Sequence, residues 1–162
     1  MAQTTITANP TVALAGTFAT GTATPLNTRS LEAAETIPVG KFVVFTVNDS
    51  STCELPDAIA EAESGRGLGV ALRPASGATS YAAGETVTIG HAGEFWVVAE
   101  DTGCIAGADA WVRGANAGTY GFGSFRSDVD TNGASQVPNA VFTSDASAAG
   151  ALVKVWLNGP FI

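Results

Sequence analysis

Glu85-Thr86-Val87-Thr88-Ile89, entered from Ala83-Gly84, and Glu94-Phe95-Trp96-Val97-Val98-Ala99, opened by Gly93, decide the fold. On an extended chain Val87 and Ile89 share one side and Thr86 and Thr88 the other, the alternation of a strand with one buried face. The second run is rich in β-branched and aromatic residues, which fit a pleated surface. Between them, Gly90-His91-Ala92-Gly93 reads as a turn joining two strands, with His91 exposed in it.

The same phrase recurs along the chain. Ile37-Pro38-Val39-Gly40 leads into Lys41-Phe42-Val43-Val44-Phe45-Thr46-Val47, and Gly67-Leu68-Gly69-Val70-Ala71-Leu72 ends at Pro74. Gly107 precedes Ala110-Trp111-Val112, and Ala140-Val141-Phe142-Thr143 and Ala151–Asn158 follow. In the last run Val153, Val155 and Leu157 face one way and Leu152, Lys154 and Trp156 the other. Short strands separated by glycine turns predict an all-β fold, a compact β-barrel or sandwich of jelly-roll-like form. The strongest helix candidate, Pro56–Glu63, is limited to about two turns by Gly65 and Gly67.

The 162 residues suit one domain with an extended segment before it: an arm over residues 1–30 and a β-domain over 31–162. Met1 to Thr28 carries no charge, and Pro10 and Pro25 favour extended backbone before them. Its larger apolar residues, Ile6, Val12, Leu14, Phe18 and Leu26, follow no helical spacing. An uncharged arm with exposed Leu and Phe would be sticky, which argues that it lies on a neighbouring chain. A first strand tied into its own domain is the other reading, and the sequence leaves both open.

Composition narrows the function. Charged residues are 14% of the chain, and 15 acids against 7 bases give a net charge of −8. Phosphate binding needs clustered Lys and Arg, so nucleic acid is excluded as a partner. The longest apolar runs are too short to span a bilayer, and the start shows no secretory pattern, so no membrane partner and synthesis in a cytoplasm are expected. Cys53 and Cys104 lack metal-ligand spacing and read as two small buried hydrophobes.

Catalytic chemistry has little to draw on. His91 is the one histidine, no G-x-S-x-G phrase occurs, and Glu100-Asp101 reads as solvated charge. Gly65–Gly69 lacks the lysine of a phosphate loop. Asp128-Val129-Asp130-Thr131-Asn132-Gly133 matches the start of a calcium loop, but the twelfth position is Asn139 where a bidentate Glu belongs. An ordinary turn accounts for it. No enzyme, cofactor or metal is expected. Gly114–Gly123 is a glycine-rich loop carrying Tyr120 and Phe122, either an interface anchor or a cap on the core.

The order of these phrases resembles the structural cement proteins that decorate the heads of tailed bacteriophages. The resembling pieces run from Pro10–Gly16 through Ile37–Lys41, Gly67–Leu72, Tyr81–Val87 and Gly93–Val97 to Gly123–Arg126 and Val137–Ala140. The resemblance implies a protein on the outer surface of the capsid, associated with itself as a dimer or trimer and bridging neighbouring major capsid protein subunits. The partner-binding residues expected from arm and loop are Ile6, Pro10, Val12, Leu14, Phe18, Leu26, Tyr120 and Phe122. Deletion of residues 1–28 is then expected to abolish head binding and leave a folded domain. The rival readings are another virion module, in a tail or head-fibre base, and a carbohydrate-binding β-sandwich using Trp96, Trp111 or Trp156.

Overall fold

The computed structural model describes residues 13–19, 27–58, 61–62, 65–116, 118–130 and 133–159. Among them the regular structure is all strand: β1 (Asn27–Ala33), β2 (Ile37–Pro38), β3 (Phe42–Thr46), β4 (Asp49–Glu54), β5 (Gly67–Ala71), β6 (Ser80–Tyr81), β7 (Thr86–Val98), β8 (Asp109–Arg113), β9 (Phe125–Arg126), β10 (Ala134–Phe142) and β11 (Leu152–Asn158). The helix expected over Pro56–Glu63 is corrected: its described residues form a bend and a turn. Glu61 accepts hydrogen bonds from the amides of Asp57 (2.8 Å) and Ala58 (3.2 Å) and also holds Arg66, which fastens the segment as a turn.

The sheet runs β1-β4-β3-β5-β7-β11-β10-β8-β9, and β1 also pairs with β7. That extra pairing closes the circuit β1–β4–β3–β5–β7–β1 into a barrel, which leaves no free edge there. The other half folds round until Phe125 of β9 bridges Ala99, just past the end of β7. β7 therefore serves both halves. Its first part pairs with β1 and β5, and its second part with β11 from Leu152↔Val98 to Asn158↔Ala92.

Two apolar clusters fill the two halves. Leu31, Ile37, Val43, Leu68, Val87 and Ile89 belong to one; Phe42, Val44, Val70, Phe95, Phe125 and Phe142 belong to the other. β3 sends Val43 into the first and Phe42 and Val44 into the second, and β5 divides Leu68 and Val70 likewise. These strands form a wall between two cores. This explains why their sequences read as continuous apolar runs while β7 and β11 alternate.

The Gly90–Gly93 turn is also corrected. β7 passes through it unbroken, and His91 is a half-buried strand residue whose Nδ1 lies 2.5 Å from the Leu68 carbonyl oxygen. Gly90 is there for space: a Cβ would lie 2.4 Å from Cε1 of Phe95. Mid-strand glycine marks close approach here and not a stop.

Candidate interaction surface

Residues 13–19 lie along the second part of β7. Gly16 donates its amide to the Trp96 carbonyl at 2.8 Å, Trp96 to Thr17 at 2.9 Å, and Ala19 to Glu94 at 2.9 Å. Phe18 bridges Phe95, with ring centroids 5.0 Å apart. Gly16 has φ +76°, and a Cβ there would stand 2.9 Å from the Ala71 carbonyl oxygen and 3.0 Å from the Gly40 amide nitrogen. The backbone is thus fixed, yet Leu14 stays 42% and Phe18 37% exposed. Apolar groups held ready in this way lose little freedom on binding. Ile6, Pro10, Val12 and Leu26 lie outside the described residues.

A division at residue 30 falls inside β1, where Thr28 pairs with Gly90 and Ser30 with Thr88. Deleting residues 1–28 would therefore remove sheet residues and the segment on β7. Deleting residues 1–12 spares both.

The glycine-rich loop is tied to the same stretch of chain that backs Gly16. Lys41 Nζ donates to the Tyr120 carbonyl and to Ser124 Oγ at 2.5 Å, and Phe42 donates its amide to Gly123 at 2.9 Å. Tyr120 and Phe122 are half-buried, and the Tyr120 hydroxyl lies so near Gly150 that a Cβ there would be 2.9 Å away. Leu14 and Phe18 are each more exposed than either residue of this loop pair.

Burial pushes the Lys41 ammonium down to about 8, against a smaller opposing pull from Glu100. Between pH 8 and the ordinary lysine value of about 10.5, the unfolded chain binds more protons at this residue than the folded one. Stability from this group therefore rises with pH across that window. Burial pushes the Cys53 and Cys104 thiols up to about 11 and about 12, which works the opposite way in alkali. Comparison with Lys41→Met cancels the thiols. The wild type should gain thermal stability relative to Lys41→Met from pH 7 to pH 10; parallel melting curves would contradict the assignment.

Behind the loop lies a compact ion-pair cluster. Arg113, with 5% of its side chain exposed, donates Nε to both Glu100 carboxylate oxygens (2.6 and 2.9 Å) and Nη2 to Asp130 (2.6 Å). Its Nη1 binds the carbonyls of Ala115 (3.2 Å) and Asn116 (2.8 Å). Arg126 holds Asp128 at 2.6 Å and Asp130 at 2.9 Å. The hydrogen bond from Arg113 holds the Asp130 carboxyl below the usual aspartate range. The two aspartates of the calcium-like phrase are thus committed to arginines; Asn132 lies outside the described residues. Glu100-Asp101, read as solvated charge, is corrected: Glu100 is almost buried, and Asp101 Oδ1 accepts from Gly103 (2.7 Å) and Ser127 Oγ (2.9 Å). Sequence reasoning missed this cluster because its members meet only through the fold.

Two shallow cavities, of about 460 and 350 Å³, are lined by Phe45–Ser50 with Arg66 and by residues between Pro74 and Thr86. His91 lines neither. Trp96, Trp111 and Trp156 are half-buried at outward positions of β7, β8 and β11, flanked by buried neighbours.

The family model for the structural cement protein (E217 gp24/Pam3 gp6) matches residues 2–158. The chain belongs to the structural cement protein family. The cement protein also shares its fold with a chain from the capsid of Myoviridae phage XM1, at TM-score 0.65 and 19% identity, over 92% of this chain and 91% of that one. The head fibre gp8.5 N base of bacteriophage phi29 is more remote, at TM-score 0.49 and 15% identity, over 83% and 95% of the two chains. No curated protein matches the sequence. The role of the cement protein is structural, that of a phage capsid cement or decoration protein.

Proposed function

We propose that the cement protein sits on the outer surface of the head, associates with itself, and bridges neighbouring major capsid protein subunits, without catalytic activity of its own. The net charge of −8 supports the outside, away from packaged DNA, since like charges repel. The observation that carries the contact is the pinned segment 13–19, which presents Leu14 and Phe18 on a fixed backbone. Residues 1–12, which precede this segment in the chain, are also uncharged. A standard protein contact buries about 1,600 Å² in total, and many symmetry-related copies multiply modest affinities.

The test is co-sedimentation with purified heads lacking the protein. Wild type should pellet saturably. Leu14→Ser with Phe18→Ser should weaken binding by roughly 10-fold or more, as expected when central apolar anchors are lost. Circular dichroism would show that the double variant stays folded. Undiminished binding by the folded variant would remove segment 13–19 from the contact.

A further inference from the structure

We infer that the outward face of β7 and β11 is a self-association surface, meeting the same face of a second copy about a twofold axis. The register sets its centre: Trp96 stands opposite Lys154, Glu94 opposite Trp156, and Val98 opposite Leu152. Across β11, Trp156 also stands beside Val141 of β10. These residues are half-buried, and each alternates with a buried neighbour, so their side chains share the outer surface. Trp111 occupies the matching outward position on β8, opposite Gln136. All 3 tryptophans of the chain thus lie on the outer side of one sheet. Tryptophan is the residue most enriched at the energetic centres of interfaces.

Charge identifies the occupant. The centre holds one acid and one base, Glu94 and Lys154, 3.7 Å apart, with Lys154 Nζ 5.3 Å from the Trp96 ring centroid. They cancel, so the whole net charge of −8 resides elsewhere. Asp109, opposite Val141, already marks an acidic rim, and Glu32, Glu35, Asp49, Glu85 and Asp145 are exposed beyond it. Most of the bases are already engaged: Arg66, Arg113 and Arg126 are ion-paired, and Lys41 is held by the loop. A second copy is therefore repelled by most of this surface and tolerated at its neutral centre. One charge of each sign is also what a twofold contact requires, because Lys154 of each copy can then face Glu94 of the other.

This surface gives the proposed self-association a location and rests on that reading. Sedimentation velocity on the full chain tests it. Wild type should associate. Lys154→Glu leaves two acids facing two acids, and Glu94→Lys two bases facing two bases, so each alone should associate roughly 10- to 100-fold more weakly. An equimolar mixture of the two variants should restore association. Leu152→Glu, at the end of the face, provides a second disruption should either charge reversal fail to fold. A monomeric wild type, folded variants that associate as wild type does, or a mixture that stays monomeric would overturn the inference. Head binding separates the two readings. A monomer that still decorates heads ends this inference alone, and an associating protein that ignores heads ends the cement reading alone.

Discussion

Gly69→Ala should lower stability by about 3 kcal/mol or more, the sum of a strained backbone and an overpacked site. Gly69 has φ +147°, and an added Cβ would lie 2.1 Å from the carbonyl oxygen of Gly90. That oxygen belongs to the backbone of β7, so no side chain can turn aside. β5 must move, and β5 is the wall between the two cores. In a domain of this size the loss corresponds to a fall in melting temperature of roughly 6–12 °C. Gly77→Ala is the control: it also has a positive φ, +80°, but a Cβ there meets nothing within 4 Å. It should cost only about 1 kcal/mol. Equal losses at the two positions would show that close packing of β5 on β7 is unimportant.

Arg113→Met should cost about 3–5 kcal/mol, the range for removing one partner of a buried charge pair. Glu100, with 9% of its side chain exposed, would lose both hydrogen bonds from the Arg113 Nε. The carbonyls of Ala115 and Asn116 and the carboxylate of Asp130 would lose their donor together. Equilibrium denaturation would measure the loss. Amide exchange should speed up in the described residues between 114 and 130, while β1 and β5 keep their protection. An unchanged loop would show that the cluster is not what holds it.

Sequence pattern gave a good account of those strands with one face in and one face out. Val87 and Ile89, and Val153, Val155 and Leu157, are buried as their alternation implies. β1 and β4 escaped notice because their side chains are largely polar: Asp49–Glu54 reads DSSTCE and becomes a strand by pairing with β3 and β1. A signal for β4 was present in Val47-Asn48 directly after the apolar run, since Asn48 has φ +60° and closes the hairpin. The length of β7 was hidden because glycine punctuates turns and also permits close approach, and only the fold distinguishes these.

The candidate surface was legible to a lesser degree. Leu14 and Phe18 stood out as apolar residues in an uncharged stretch, and both are exposed. The attachment of their segment to Trp96 and Glu94, through the backbone of Gly16, Thr17 and Ala19, could not be read, since backbone pairing of distant segments leaves no local trace in residue type. The same holds for Lys41, whose partner Ser124 lies 83 positions away. Alternation already set Trp156 apart from Val153, Val155 and Leu157, but that Trp96 and Trp111 share its sheet could not be read until β7, β8 and β11 were placed together.

Electron cryomicroscopy of undecorated phage heads incubated with the purified full chain tests the capsid role most directly. The cement protein should appear as density at symmetry-related positions on the outside of the shell, touching more than one major capsid protein subunit through segment 13–19. Bare heads at saturating protein, or density confined to the inner wall, would contradict that role.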